Sequence, residues 1–126
     1  MISNILVNVL DSNLTELTKG TNLFAEGGIL GECVIVKTDS FPVGQIVPDV
    51  RRSHAKFYIK GYEIADAIEL GEKMVKVLTG LKGVFTHDTV KYNIKAVDIL
   101  STPSVVSIQD KVVLFNANVF YVRTSN

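Results

Sequence analysis

The chain has 126 residues, enough for one domain, and 47% of them are apolar, enough for one sizeable core. Thirteen basic residues balance thirteen acidic ones, which argues against a dedicated nucleic-acid binder and leaves little self-repulsion between copies. The lone cysteine, Cys33, excludes an intrachain disulfide; no apolar run nears the roughly 20 residues of a membrane span, and with the first lysine only at Lys19 no secretory leader is expected, so folding in a cytoplasm is.

The first expected element is an amphipathic helix over residues 2–18. Ile2, Ile5, Leu6, Val9, Leu10 and Leu17 recur at three- and four-residue spacing, and Lys19 and Gly20 follow as a favourable C-terminal charge and an αL cap. Residues 21–32, with Gly27, Gly28 and Gly31, read as a bent or mobile loop. The β-branched run from Cys33 to Thr38 reads as a strand, ended by Asp39-Ser40-Phe41-Pro42. Residues 43–53 are undecided: Pro42 and Pro48 exclude a regular helix, and Asp49, Arg51 and Arg52 make the segment polar. Strand character resumes from Ala55 to Lys60.

Gly61 breaks that strand, and a second helix is expected over residues 62–81. Ile64, Ala67, Ile68, Gly71, Val75 and Leu78 share a face. Glu63 and Asp66 at its start and Lys76 near its end complement the helix dipole, and Glu69/Lys73 and Glu72/Lys76 are i,i+4 pairs in the favourable order. The remainder reads as all β: Val84 to Thr86, then Val90 to Leu100 with a bulge near Val97 or Asp98, a turn at Ser101-Thr102-Pro103, Val105 to Gln109, a tight turn at Asp110-Lys111, and Val112 to Arg123. Val112-Val113-Leu114-Phe115 is apolar on both faces, so cover on both sides is expected there. The fold class expected is α+β: a mostly antiparallel sheet packed against two main helices, N-terminal and central, ending in a C-terminal strand meander, as a single domain over residues 1–126.

No catalytic, cofactor-binding or metal-binding constellation emerges. Glu32 follows the glycine stretch where a phosphate loop requires Lys-Ser/Thr. Cys33 enters an apolar strand with no local histidine to activate it. Two histidines, His54 and His87, are too few for a convincing zinc site, and Thr86-His87-Asp88-Thr89 reads as a polar loop. Arg51, Arg52, Lys56 and Lys60 form the densest positive region. Two readings stand level: a contact with an acidic partner or DNA, and a solvated edge strand whose lysines block unwanted pairing.

The order of elements resembles the tail-terminator proteins of long-tailed bacteriophages, also described as tail-completion or minor capsid proteins. The resemblance is clearest from Ala55 to Arg123. It rests on Lys56-Phe57-Tyr58-Ile59 leading into Tyr62-Glu63-Ile64-Ala65-Asp66-Ala67-Ile68, on the Lys91 to Leu100 strand, on Thr102-Pro103, on the turn Gln109-Asp110-Lys111, and on the final Phe115-Asn116-Ala117-Asn118-Val119-Phe120. It implies a non-enzymatic virion assembly protein in the neck region of the tail, made in a bacterial cytoplasm. Copies would form a ring, a hexamer in the family, on the tail tube. The ring would stop tube polymerisation and offer a surface to the head-side connector. The implied partners are itself, the major tail tube protein and the connector, with no membrane, no cofactor, and DNA only in transit through a lumen. Candidate interface residues are Arg51, Arg52, Lys56 and Lys60, with Asp110 and Lys111 at a hairpin tip. The alternatives are another head-tail connector or neck protein, or a small ligand-binding α+β domain built around His54, His87 or Cys33.

Overall fold

A computed structural model describes residues 1–42 and 50–125. The elements in chain order are α1 (Ile2–Asn13), β1 (Leu23–Ala25), β2 (Cys33–Pro42), β3 (Val50–Lys60), α2 (Ile64–Leu78), β4 (Gly83–His87), β5 (Val90–Ser107) and β6 (Val112–Ser125). The six strands form one mixed sheet in the order β1-β2-β3-β6-β5-β4. Among the described strand pairs the short β1–β2 pair is parallel, as is an isolated Lys19–Leu23 bridge, and the others are antiparallel. The chain is therefore α+β, with two helices and strands predominating.

The core lies between the helices and one face of the sheet. Side chains alternate across a strand, so Ala55, Phe57 and Ile59 of β3 and Val113, Phe115, Ala117 and Val119 of β6 line the same face, all fully buried. Phe57 and Phe115 stack at 4.5 Å between ring centroids, nearly parallel. Ile5, Leu6 and Leu10 of α1 and Ala67, Met74 and Leu78 of α2 close over that floor. Gly71 of α2 lies against Pro103 of β5, where a Cβ would come within 2.7 Å of the proline ring, so only glycine allows this approach.

α1 ends at Asn13, five residues before the expected end. Asn13 Nδ2 donates to the Val9 carbonyl, Leu14 adopts an extended conformation, and the Lys19 amide donates to Asp11 Oδ1. Side-chain capture of backbone groups here competes with another helical turn. Leu17 is still buried, so its spacing was a core signal without being a helical one. The expected 21–32 loop contains β1, and Gly20 takes its positive φ (84°) in the turn leading there. β2 runs through Asp39-Ser40-Phe41-Pro42, because β3 begins at Val50 and pairs with all of it. Residues 43–49 of the undecided segment lie outside the described residues.

α2 occupies Ile64–Leu78, inside the expected range. Glu69 pairs with Lys73 at 3.8 Å, but the shorter partner of Lys73 is Glu16, at 2.7 Å. The expected turn at Ser101-Thr102-Pro103 is absent from the described path. β5 continues through it, and β5 shifts register against β6 at four places, between Ile94 and Ala96, Ile99 and Ser101, Ser101 and Ser104, and Val105 and Ser107. Proline is accepted because it falls in one of these irregularities, where no ladder amide is required. The bulges flank Val97 and Asp98 without including them. His87 and Val90 close a two-residue turn in which Asp88 (φ 49°) and Thr89 (φ 67°) both adopt left-handed backbone, the geometry that suits a twisted hairpin.

Replacing Phe115 by alanine removes half of the central stack and leaves a cavity under both helices. The variant should lose about 3–5 kcal/mol of unfolding free energy, read from urea denaturation. A loss below about 0.5 kcal/mol, the usual range for surface sites, would show the stack to be peripheral.

Candidate functional site

The sheet face away from the helices is where most of the candidate residues converge. β3 alternates, so Arg52, His54, Lys56, Tyr58 and Lys60 all project to that side, while Ser53, Ala55, Phe57 and Ile59 project into the core. β3 sits between β2 and β6, paired with β2 from Arg51 to Lys60 and with β6 along its whole length. The edge-strand explanation of its lysines therefore fails: an interior strand has no free edge to protect.

The neighbours complete the face. Lys37 of β2 stands directly opposite Lys56, and Asp39 opposite His54. Asn116 and Asn118 of β6 flank Lys56 and His54 on the other side, with Leu114 beside Tyr58. The Lys37 ammonium sits 5.6 Å from the centre of the Tyr58 ring. At the β2 start the face is closed by the glycine loop. Gly28 is so near Ile35 that a Cβ would overlap its side chain, and Cys33 Sγ contacts the Ile29 carbonyl at 3.6 Å. This explains why Cys33 and Ile35 are buried although they point away from the helices. Gly61 fastens the loop from below. Its φ is +83° and a Cβ would meet the Gly31 carbonyl carbon at 2.7 Å. Over Leu114 and Val112 the cover is partial, so burial on both sides at the start of β6 does not hold within one chain.

Arg51 departs from the group. Its register places it on the helix side, at the end of the sheet, where it lines a small depression with Met1, Thr38, Tyr92, Tyr121 and Arg123. Asp110 and Lys111 lie at the β5–β6 tip, as expected. Lys111 has a left-handed backbone (φ 53°), its carbonyl accepts the Gly61 amide, and its ammonium pairs with Glu63 at 2.7 Å. It ties the hairpin tip to the start of α2, while Asp110 remains exposed.

Two ion pairs, Glu63–Lys111 and Glu16–Lys73, hold segments far apart in sequence. In each, the hydrogen bond to the lysine lowers the carboxyl and the hydrogen bond to the carboxylate raises the ammonium. Both contributions are present at neutral pH. The carboxylate part is lost as pH falls through the depressed folded values, below 4.5, and the lysine part as pH rises through the raised ones, above 10.5. These groups are solvent-exposed, so the pairs act as local ties rather than large stability terms. Burial pushes the Tyr62 phenol upward, and the charges of Glu32 and Cys33 add to this.

The three residues of the ligand-binding alternative do not meet. Cys33 pairs opposite Lys60, whereas His54 pairs opposite Asp39, six positions further along β2 and about 20 Å away at the usual rise per residue. His87 lies on β4 at the far side of the sheet, with its Nε2 3.3 Å from the Asp88 carboxylate. Among the described residues no cluster of three or more His, Cys, Asp or Glu side chains could hold a metal ion.

The second notable surface is the β5 margin. β4 pairs with β5 only as far as Ile94, so from Lys95 to Ser107 the outer edge of β5 has no strand partner among the described residues. From Ile99 to Ser107 this edge carries no charge. It ends in a tip where Val106 is 59% and Ile108 77% exposed. Leu30, at 98%, stands on the glycine loop, which reaches Gly61 and hence the same end of the sheet. Neither surface was evident from composition. The period-two run from Arg52 to Lys60 was readable once β3 is started at Val50.

No protein-family model matches the chain, and no curated protein is significantly similar to it.

Substituting Lys111 by alanine should raise the titration midpoint of the Glu63 carboxyl toward its ordinary value and leave that of Glu16 unchanged, as followed by side-chain NMR. An unmoved Glu63 midpoint would show that the tie does not persist in solution.

Proposed function

We propose that this protein is a structural virion component that acts as a tail terminator of a long-tailed bacteriophage. In this role copies join into a ring on the end of the tail tube, stop its growth and present a surface to the head-side connector. The observation that carries the reading is the unpaired margin of β5 with its exposed apolar tip. Val105, Val106 and Ile108 make an apolar tip that a lone chain leaves in water, and beside it the β5 margin is unpaired among the described residues and uncharged from Ile99 to Ser107, interrupted by Pro103 and register shifts. Oligomers that close into rings use such surfaces heterologously, one patch against a different one. The residue order from Ala55 to Arg123 that resembles the family supports the same reading. So does the dispersal of Cys33, His54 and His87, which leaves the ligand-binding alternative without a site at those residues.

A phage lacking this protein should assemble abnormally long tails, measured by electron microscopy. Tails of normal length that fail to join heads would transfer the protein to the connector or neck class. In the purified chain, Val106→Lys with Ile108→Lys should reduce oligomers or tail-tube capping at least tenfold, by sedimentation over a concentration series or by capping yield. An unchanged yield removes the tip from the interface.

A further inference from the structure

The sheet face opposite the helices carries a feature that assembly does not require. Tyr58 is surrounded on this face by three lysines: Lys56 and Lys60 two positions before and after it, and Lys37 over its ring. Lys37 and Lys56 are directly opposite one another across the β2–β3 ladder. Like charges in that relation repel, and they cost stability that an apolar or acidic partner would have supplied. None of the three lysines forms an ion pair with a described residue. Arg52 extends the row, and the carboxylates of this face, Asp39 and Asp98, lie in the His54 row, away from Tyr58.

Outward side chains on a strand repeat about every 6.7 Å, twice the rise per residue. Arg52, Lys56 and Lys60 occupy every second outward position, about 13 Å apart, with His54 and Tyr58 between them, so the cationic row carries an aromatic ring within it. Surfaces that track single-stranded nucleic acid combine these two elements: a cationic line for the phosphates and a ring on which a base stacks. The choice of lysine also bears on the partner, because protein interface cores are depleted in lysine. The chain's overall neutrality conceals this separation of charge.

We propose that this face binds the phosphodiester backbone of single-stranded nucleic acid, with phosphates on Lys37, Lys56, Lys60 and Arg52 and a base on Tyr58. The site goes beyond the proposed assembly role and does not depend on it.

The test is fluorescence anisotropy of the full chain with a labelled oligothymidylate of about 20 nucleotides. With three to four phosphates neutralised, affinity should fall roughly 20- to 50-fold between 50 and 200 mM salt. Lys56→Glu with Lys60→Glu should weaken binding at least tenfold and flatten the salt slope. Lys56→Gln with Lys60→Gln, which adds no negative charge, serves where the reversal disturbs folding by circular dichroism. Tyr58→Ala should cost at least fivefold on the single strand and little on a duplex of the same length. Lys76→Glu with Lys82→Glu, on the helical side, should change binding less than twofold. The proposal is overturned by absence of binding at 50 mM salt, by equal losses from the Lys56/Lys60 and Lys76/Lys82 variants, or by an equal loss on both nucleic acids from Tyr58→Ala. Polyglutamate competing as well as the oligonucleotide would also overturn it, by making the face a general contact for acidic protein.

Discussion

The structure depends on the ladder between β3 and β6. Eleven residue pairs, from Val50/Val122 to Lys60/Val112, join a strand from the first half of the chain to the last strand. Their alternation settles both faces at once. On one side it aligns Phe57 with Phe115 and Ala55 with Ala117, giving the helices a continuous apolar floor. On the other it aligns Lys56 with Asn116 and Tyr58 with Leu114. A slip of one residue would exchange these sets and bury lysines under α1 and α2, so the hydrophobic pattern itself fixes the register. The Phe57–Phe115 stack is the close contact that a shifted register could not reproduce.

The helices then need only complementarity to that floor. α2 supplies it most fully, with Gly71 letting the helix approach Pro103. Because both helices cover the same face, the opposite face is left to shorter-range devices. The glycine loop seals Cys33 and Ile35 at one end, and the remainder mixes polar and aromatic side chains with the half-buried Val112 and Leu114. The one-sided layering is what makes β3 informative: its outward residues are fully determined in direction and yet take no part in the core.

Much of this was legible in the sequence. α2 was readable because its apolar period, dipole-matched charges and glycine stop all agree. The strands from Cys33, Ala55, Val90 and Val112 followed from β-branched runs. The misreadings share a physical cause. Leu17 kept the α1 period going after side chains had already captured the backbone. Ser101-Thr102-Pro103 has turn chemistry, yet pairing with β6 carries the strand across it by bulging. Val50 to Ser53 looked polar and loop-like because a strand with one open face needs no hydrophobic excess, and pairing on both sides supplied what local propensity lacked. The candidate residues Arg52, Lys56 and Lys60 fell together, while Arg51, next to them in sequence, went to the other face by alternation alone.

The two margins of the sheet are unequal. On the β1 side, Glu26 turns with a left-handed backbone, gives its amide to the Val36 carbonyl and accepts the Thr38 amide with its carboxylate. Glu26 thus occupies the hydrogen-bonding groups of β2 past the end of β1, where a longer β1 would pair, while the Lys19–Leu23 bridge takes up part of the outer side of β1. On the β5 side the interruptions are Pro103 and the register shifts between Ile94 and Ser107, which break the margin into short runs. β5 is the longer of these two unpaired margins among the described residues, and its uncharged stretch from Ile99 to Ser107 is therefore a broken edge rather than a continuous one. Two copies meeting through β5 alone would be related by a twofold axis and would saturate one another as a dimer. A closed ring that uses the β5 margin must instead set it against a different surface on the next copy, so the geometry of such a ring is governed by the surface that receives the strand.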